Sequence, residues 1–129
     1  MQIKKLTPNL IVSNVEASLK FYREILGFEP AMTVPDESPY VFAGVSNGSV
    51  EIFFNDQKTV AHEYPNLAAS IGASLTLYME VDSLQEVLER VQKAGQKISM
   101  PVTEQFYGMK EFAFEDRDGY TITIAQKMV

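Results

Sequence analysis

Two helix-length stretches decide the fold: NVEASLKFYREILG at residues 14–27 and DSLQEVLERVQKAG at residues 82–95. In both, apolar residues recur at helical spacing, which predicts an amphipathic helix with one buried side. Asn14 is a suitable N-cap for the first helix, and Asp82 or Ser83 begins the second, where Ser-x-x-Glu forms a capping box. Each stretch ends in glycine, which favours the positive φ that commonly follows a helix. The chain therefore repeats one local plan.

Strand-like patterns surround both predicted helices in the same order. The pairs Asn47-Gly48 and Asp118-Gly119 predict hairpin turns. One strand comes before each helix and three come after it, so the order β-α-β-β-β occurs twice. The sequence predicts an α+β fold in a single domain, residues 1–129, with one βαβββ module in residues 1–60 and a second in residues 70–129. The predicted strands lie at residues 10–12, 31–34, 40–43 and 50–54, and at residues 75–81, 98–100, 111–115 and 120–125.

A single helix covers only one face of a sheet, so the other face of each module must be buried by another element or serve a function. Two such modules can pair into a curved mixed sheet, with the helices on the outside and a concave cup inside. A concave surface that mixes polar and aromatic side chains is typical of a small-molecule site. The other interpretation is that these polar side chains face solvent, which antiparallel sheets allow.

The composition restricts the classes of function. The chain has 129 residues, a net charge of −6 and no cysteine, which excludes disulfides and thiolate metal sites. Its negative charge disfavours binding to nucleic acid and anionic lipid and favours a cationic ligand. The other interpretation is that the charge serves only to keep the protein soluble. The chain has neither a secretory signal nor an apolar run of roughly 20 residues. We therefore expect a cytoplasmic protein with no nucleic acid or membrane partner.

Three stretches of the chain together resemble a known family. The third stretch is most similar to the bleomycin-resistance branch, in which an aromatic-Gly-Met-basic-Glu-Phe run leads into Asp-x-x-Gly. By this resemblance the chain is identified as a member of the vicinal oxygen chelate superfamily, which includes glyoxalases, bleomycin-resistance proteins and extradiol dioxygenases. The stretches are LIVSNVEASLKFY at residues 10–22 with LGF at 26–28, YMEVDSL at 78–84, and FYGMKEF at 106–112 with DRDGY at 116–120.

The resemblance also bears on metal binding. In metal-dependent members, a few inward-facing side chains hold one divalent ion; the matching positions here are Thr7, Glu51, Thr76 and Thr123. A neutral hydroxyl is a poor ligand compared with carboxylate or imidazole, and the only histidine, His62, matches no ligand position. The resemblance therefore implies a small-molecule binding protein of the resistance type with no metal and no cofactor. The alternative is a metal-dependent lyase, isomerase or dioxygenase of glyoxalase type, with Glu51 as base or ligand.

The expected ligand is a small cationic or aromatic molecule. We expect Phe106, Tyr107 and Met109 in a loop at the cup mouth, where the aromatic rings clamp a flat ligand or pack as core. Glu111 pairs with Lys110 or a ligand cation, or it is solvated. The predicted ligand-binding residues are Thr7, Asn9, Glu51, Phe53, Thr76, Tyr78, Phe106, Tyr107, Met109, Glu111 and Thr123.

The resemblance further implies a homodimer, because an open sheet edge and an incomplete cup both favour a second copy. Whether the dimer exchanges strands stays open at the level of sequence. A third interpretation is a cofactor-free module whose dimer surface serves a protein partner.

Overall fold

A computed structural model describes residues 1–72 and 74–129 of the chain. These residues divide into two compact units, Met1–Ile71 and Gly72–Val129. The order βαβββ occurs in each unit, so the predicted α+β class and its repeated module are confirmed. The elements are β1 (Asn9–Val12), α1 (Val15–Leu26), β2 (Glu29–Val34), β3 (Phe42–Asn47), β4 (Val50–Asp56), α2 (Gln57–Val60), α3 (Pro65–Ala68), β5 (Thr76–Glu80), α4 (Leu84–Lys93), β6 (Ile98–Glu104), β7 (Met109–Glu115) and β8 (Thr121–Lys127). In the described ranges, no helix combines the length and apolar character needed to cross a membrane.

Each unit contains one four-stranded mixed sheet, with strand order β1-β4-β3-β2 in the first and β5-β8-β7-β6 in the second. In both sheets the first strand of the unit pairs in parallel with the last, and the other neighbours are antiparallel. Paired residues of neighbouring strands project to the same face of a sheet. The register therefore determines which side chains meet.

In the first unit, α1 covers one face of the sheet. The ring centroid of Tyr22 on α1 lies 4.9 Å from that of Phe54 on β4, and both side chains are fully buried. Ile52, two residues before Phe54, is also fully buried. Strand alternation consequently sends Glu51 and Phe53 to the opposite face.

In the second unit, α4 packs against β7 and β8. Leu84 on α4 is buried, as are Phe112 and Ile124, which are paired across β7 and β8. The same alternation sends Glu111 and Thr123 to the face opposite α4. Each module thus places its apolar core between one helix and one sheet face.

Both long helices begin at the predicted caps. The Asn14 side chain accepts a hydrogen bond from the backbone N–H of Ala17 at 2.9 Å. Ser83, rather than Asp82, caps the second helix and accepts from the Glu86 N–H at 3.3 Å. The capping box is only half formed, because the Glu86 carboxylate accepts from Arg90 instead. The glycines that end the two stretches have φ of 71° and 67°, as expected.

The first hairpin turn lies one residue later than predicted. Asn47 still pairs with Val50 in the sheet, so the two turn residues are Gly48 and Ser49. Gly48 has φ of 59° and Ser49 has no positive φ, which is the pattern of a type II′ turn. The Asn47 side chain instead donates to the Leu26 carbonyl oxygen at 2.9 Å.

The second hairpin has a longer connection than the predicted Asp118-Gly119 pair. The strands are separated by residues 116–120, and Gly119 has φ of 86° within this loop. The Asp116 carboxylate accepts from the backbone N–H groups of Asp118 and Tyr120, each at 2.9 Å. One aspartate side chain therefore organises the whole loop.

The predicted loop after Pro101 is instead a tight hairpin. β6 continues through Pro101, β7 begins at Met109, and residues 105–108 form the turn. Proline is tolerated here because β6 is an edge strand, bonded to a neighbour on one side only. Met109 is therefore a strand residue, whereas Phe106 and Tyr107 lie in the turn.

The Asn14 cap gives a stability test. Asn14→Ala removes the acceptor for the Ala17 N–H and is expected to lower the free energy of unfolding by about 1 kcal/mol in urea titrations. Asn14→Asp keeps an acceptor and adds a charge that suits a helix N-terminus, so we expect stability within about 0.5 kcal/mol of the parent. Equal losses in the two variants would mean that the cap bond contributes nothing.

Candidate ligand-binding site

Several predicted site residues meet on the second sheet, on the side opposite α4. The register places Tyr78 of β5 beside Thr123 of β8, and Glu111 of β7 lies on the same side. Met109 and Thr76 share that side by strand alternation. We call this surface, formed by Thr76, Tyr78, Met109, Glu111 and Thr123 together with the adjoining Tyr107, the tyrosine face.

Glu111 is the centre of the tyrosine face. It is only 3% exposed, so the solvated interpretation of this glutamate is wrong. The Tyr78 hydroxyl donates to Oε2 at 2.5 Å, and the Tyr107 hydroxyl lies 2.8 Å from Oε2 and 2.9 Å from Oε1. Gln105 Nε2 donates to Oε1 at 3.4 Å. One strand and one turn therefore direct three donors at a single carboxylate.

The two tyrosines and Phe106 remain accessible at this site. Tyr78 and Tyr107 are each 52% exposed, although their hydroxyls are bonded to Glu111. Phe106 is 99% exposed, so the interpretation of this residue as core is wrong. Its ring meets that of Tyr107 edge to face, with centroids 5.1 Å apart. The site thus presents aromatic surface above a buried carboxylate.

The carboxylate of Glu111 controls the ionisation of both phenols. Its hydrogen bond, followed by burial and by its charge, raises the pKa of Tyr78 to about 12. The same causes raise the pKa of Tyr107. Both hydroxyls therefore stay protonated near neutral pH and act as donors to Glu111.

Thr76 and Thr123 extend the tyrosine face beside Tyr78. Their hydroxyl oxygens lie 2.6 Å apart, at hydrogen-bond distance across β5 and β8. These are two of the positions that match metal ligands in the family. The structure brings them together as a pair of neutral hydroxyls that satisfy each other.

The other two such positions meet in the first unit. The Lys5 ammonium lies 2.6 Å from Glu51 Oε1, and the Thr7 hydroxyl donates to the same oxygen at 3.4 Å. The hydrogen bond from Lys5 is the main cause that lowers the pKa of Glu51, against an opposing effect of burial. A carboxylate with a lowered pKa is a weaker proton acceptor, which disfavours Glu51 as a catalytic base.

Asn9 and Phe53 lie on the same side of the first sheet as Glu51. The Asn55 side-chain amide donates to that of Asn9, and the Phe53 ring centroid is 5.1 Å from that of Phe42. Sequence reasoning missed Asn55 and Phe42, although strand alternation after Phe53 pointed to Asn55. It also missed Lys5 and Gln105, for which no sequence pattern gave a signal.

Within residues 1–72 and 74–129, no three His, Cys, Asp or Glu side chains are grouped closely enough to hold a metal ion. His62 is exposed, with its Nε2 3.9 Å from a Glu63 oxygen. The donor set at the four family positions is three hydroxyls and one carboxylate already paired with Lys5. These residues do not fit the divalent ion of the metal-dependent members.

A separate groove of about 310 Å³ lies beside α1 in the first unit. It contains none of the residues predicted to bind ligand. Its apolar floor is flanked by charges of both signs, which gives no preference for an anion or a cation. The lining residues are Glu16, Leu19, Lys20, Arg23, Glu24, Pro30 and Tyr40.

The tyrosine pKa values give a test of the site. Because the folded-state pKa of Tyr78 exceeds its usual value near 10, its contribution to stability is complete below about pH 10 and is lost as pH rises through about 12. Glu111→Gln removes the negative charge, so we expect the Tyr78 pKa to fall towards its usual value. Phenolate absorbance during alkaline titration measures this, with Tyr78→Phe to assign the transition. An unchanged titration in Glu111→Gln would contradict the assigned cause.

The fold is shared with solved structures of low sequence identity, which show likeness of fold alone. TioX from Micromonospora sp. ML1 is 14% identical with a TM-score of 0.77, over 97% of this chain and 99% of that one. The hypothetical protein SA1046 from S. aureus is 19% identical with a TM-score of 0.80, over 98% of this chain and 95% of that one. A glyoxalase/bleomycin resistance protein/dioxygenase family enzyme from Burkholderia phytofirmans PsJN is 19% identical with a TM-score of 0.80, over 95% of this chain and 97% of that one.

No curated protein sequence matches the chain significantly. The family model of the Glyoxalase/Bleomycin resistance protein/Dioxygenase superfamily matches residues 3–124. This match covers nearly the whole chain and includes both modules. The chain therefore belongs to the glyoxalase/bleomycin resistance protein/dioxygenase superfamily.

Proposed function

We propose that this protein binds a small organic molecule at the tyrosine face, without a metal ion, and releases it chemically unchanged. The observation that carries the proposal is the buried Glu111 carboxylate held by two half-exposed tyrosines. The proposal assigns the protein to binding and sequestration rather than to catalysis.

The energetics of Glu111 support a binding role. Removing a carboxylate from water is costly, and apolar side chains of similar volume often stabilise a fold at least as well as a buried polar network. Perturbed titratable groups are concentrated at functional sites for this reason. The raised pKa values of Tyr78 and Tyr107 support the proposal that the tyrosine face is such a site.

The exposure of the tyrosine rings supports the same role. A tyrosine whose hydroxyl is fixed but whose ring is half exposed offers rigid aromatic surface at low entropic cost. Phe106 adds a fully exposed ring at the hairpin turn. These rings provide apolar contact area, and the buried network holds two of them in place.

The family positions support binding without a metal. Thr76 and Thr123 contribute neutral oxygens that bond to each other, and Glu51 is neutralised by Lys5. Lewis-acid chemistry of the glyoxalase type requires ligands that hold the ion against water. The four family positions contain only one carboxylate, that of Glu51.

A binding titration tests the proposal. Chelator-treated protein is expected to bind acridine or N-methylacridinium saturably in calorimetric titrations, because both are flat aromatic molecules that match the exposed rings. Mass spectrometry is expected to recover both compounds unchanged. Nickel, manganese, iron(II) or zinc is expected to leave the affinity and the thermal unfolding midpoint unchanged, since an ion that bound only the folded state would raise the midpoint.

Lys5→Met is the matched control for the metal arm. It frees Glu51 from its ammonium partner without altering the threonines. This variant is also expected to show no metal-dependent shift, because one carboxylate is insufficient. A saturable shift that disappears in Glu51→Gln would favour the metal-dependent enzyme instead, and failure of both acridines to bind would remove the binding proposal.

A further inference from the structure

We infer that the tyrosine face selects organic cations without N–H donors, such as quaternary ammonium groups and delocalised aromatic cations. Among the described residues, Glu111 has no cationic partner within 4.0 Å, and its oxygens already accept hydrogen bonds from Tyr78, Tyr107 and Gln105. This inference deepens the proposed function and rests on it. It names a ligand class for the same site and excludes primary ammonium ions and divalent metals as preferred ligands.

The charges around Glu111 favour a cationic ligand. Among the described residues, the ion pairs within 4.0 Å involve five other glutamates, and none involves Glu111. Its neighbour Lys110 projects to the opposite side of β7 by strand alternation. The Glu111 carboxylate instead accepts hydrogen bonds from the hydroxyls of Tyr78 and Tyr107, a setting that favours the charged form of a carboxyl group. The site therefore holds a buried negative charge that a bound cation would balance.

The hydrogen-bond acceptor positions of Glu111 are largely occupied. A carboxylate offers about four acceptor positions on its two oxygens. Here Tyr78 donates to Oε2, Gln105 donates to Oε1, and the single proton of Tyr107 is shared between the two oxygens, so three donors already use about three of these positions. A primary ammonium, with three N–H donors, or a metal ion, with several coordination positions, would have to displace a phenol to gain more than one contact with this carboxylate, which is only 3% exposed. A quaternary or delocalised cation has no N–H group that needs an acceptor. It therefore gains the electrostatic attraction of the Glu111 carboxylate without breaking the hydrogen bonds from the tyrosines.

The aromatic rings near Glu111 favour the same ligands. Cations are attracted to the faces of aromatic rings, and recognition of quaternary ammonium groups commonly uses them. Tyr78 and Tyr107 expose half of their surface while their hydroxyls donate to the carboxylate, which polarises the rings. Phe106, in edge contact with Tyr107, extends the aromatic surface outwards. The charge of Glu111, its occupied acceptor positions and the exposed aromatic rings thus all favour organic cations without N–H donors.

The test for charge compares two ligands of nearly the same shape. N-methylacridinium is a permanent cation, whereas acridine is uncharged at mildly alkaline pH. We expect the cation to bind about tenfold more tightly than acridine to the wild-type protein in calorimetric titrations. Equal affinities would overturn this inference and leave the proposed function standing. Failure of both compounds to bind would overturn the proposed function together with the inference.

The test for N–H donors uses two competitors that displace N-methylacridinium. Benzyltrimethylammonium and benzylammonium share a ring and a charge and differ in their N–H groups. The quaternary ion is expected to displace the dye at several-fold lower concentration than the primary ion. Stronger displacement by benzylammonium would show that a free acceptor is present, which contradicts the proposed occupancy of Glu111.

Variants then assign the selectivity to Glu111. Glu111→Gln is expected to reduce the preference for N-methylacridinium over acridine to about twofold or less. Glu89→Gln, which removes the same charge from the exposed surface of α4, is expected to keep the wild-type ratio. Retention of the full preference in a folded Glu111→Gln protein would overturn the assignment.

Tyr107→Phe gives a second variant in case Glu111→Gln does not fold. It keeps the ring and removes one donor shared by the two carboxylate oxygens. Because an acceptor position becomes free, benzylammonium is expected to gain affinity relative to benzyltrimethylammonium. An unchanged ratio of the two competitors would contradict the role of the occupied acceptors.

Discussion

The coverage of each four-stranded sheet by one long helix is the constraint on which the rest of the structure depends. In the first unit the Tyr22–Phe54 contact fixes which face of the sheet is apolar core. In the second unit Phe112 and Ile124 have the same role beneath α4. Because strand side chains alternate, the burial of these residues directs their sequence neighbours to the other face. The chemistry of that face is thus set by the packing of the core.

The tyrosine face shows what this arrangement produces in the second unit. Glu111 lies beside Phe112 in sequence and is nearly as buried, yet its carboxylate accepts hydrogen bonds from Tyr78 and Tyr107 on the face opposite the helix. The two phenols satisfy the carboxylate and keep part of their own rings exposed. In the first unit the carboxylate at a family metal position, Glu51, is paired with Lys5 instead. In this member of the superfamily, the one carboxylate at the family metal positions is therefore already paired.

Sequence reasoning succeeded where the signal was local. Asn14 and Ser83 cap their helices as predicted, and the alternation in β4 and β8 placed Glu51 and Thr123 correctly opposite the cores. Prediction from sequence failed where a contact depended on the direction in which a particular side chain extends. The hydrogen bond from Tyr107 to Glu111 joins the turn at residues 105–108 to β7, and no periodicity of the sequence encodes that contact. The loop predicted after Pro101 was also wrong. A proline in the edge strand β6 is compatible with hydrogen bonding between β6 and its single neighbour, β7.

The central claim is that ligand binds at the tyrosine face, and the NMR signals of the tyrosine rings test it most directly. The chain has six tyrosines, which report on both units. As N-methylacridinium is added to tyrosine-labelled protein, the account predicts saturable shifts of Tyr78 and Tyr107, while the buried Tyr22 stays unchanged. Saturable shifts confined to Tyr40, which lines the groove beside α1, would place the ligand elsewhere and contradict the account.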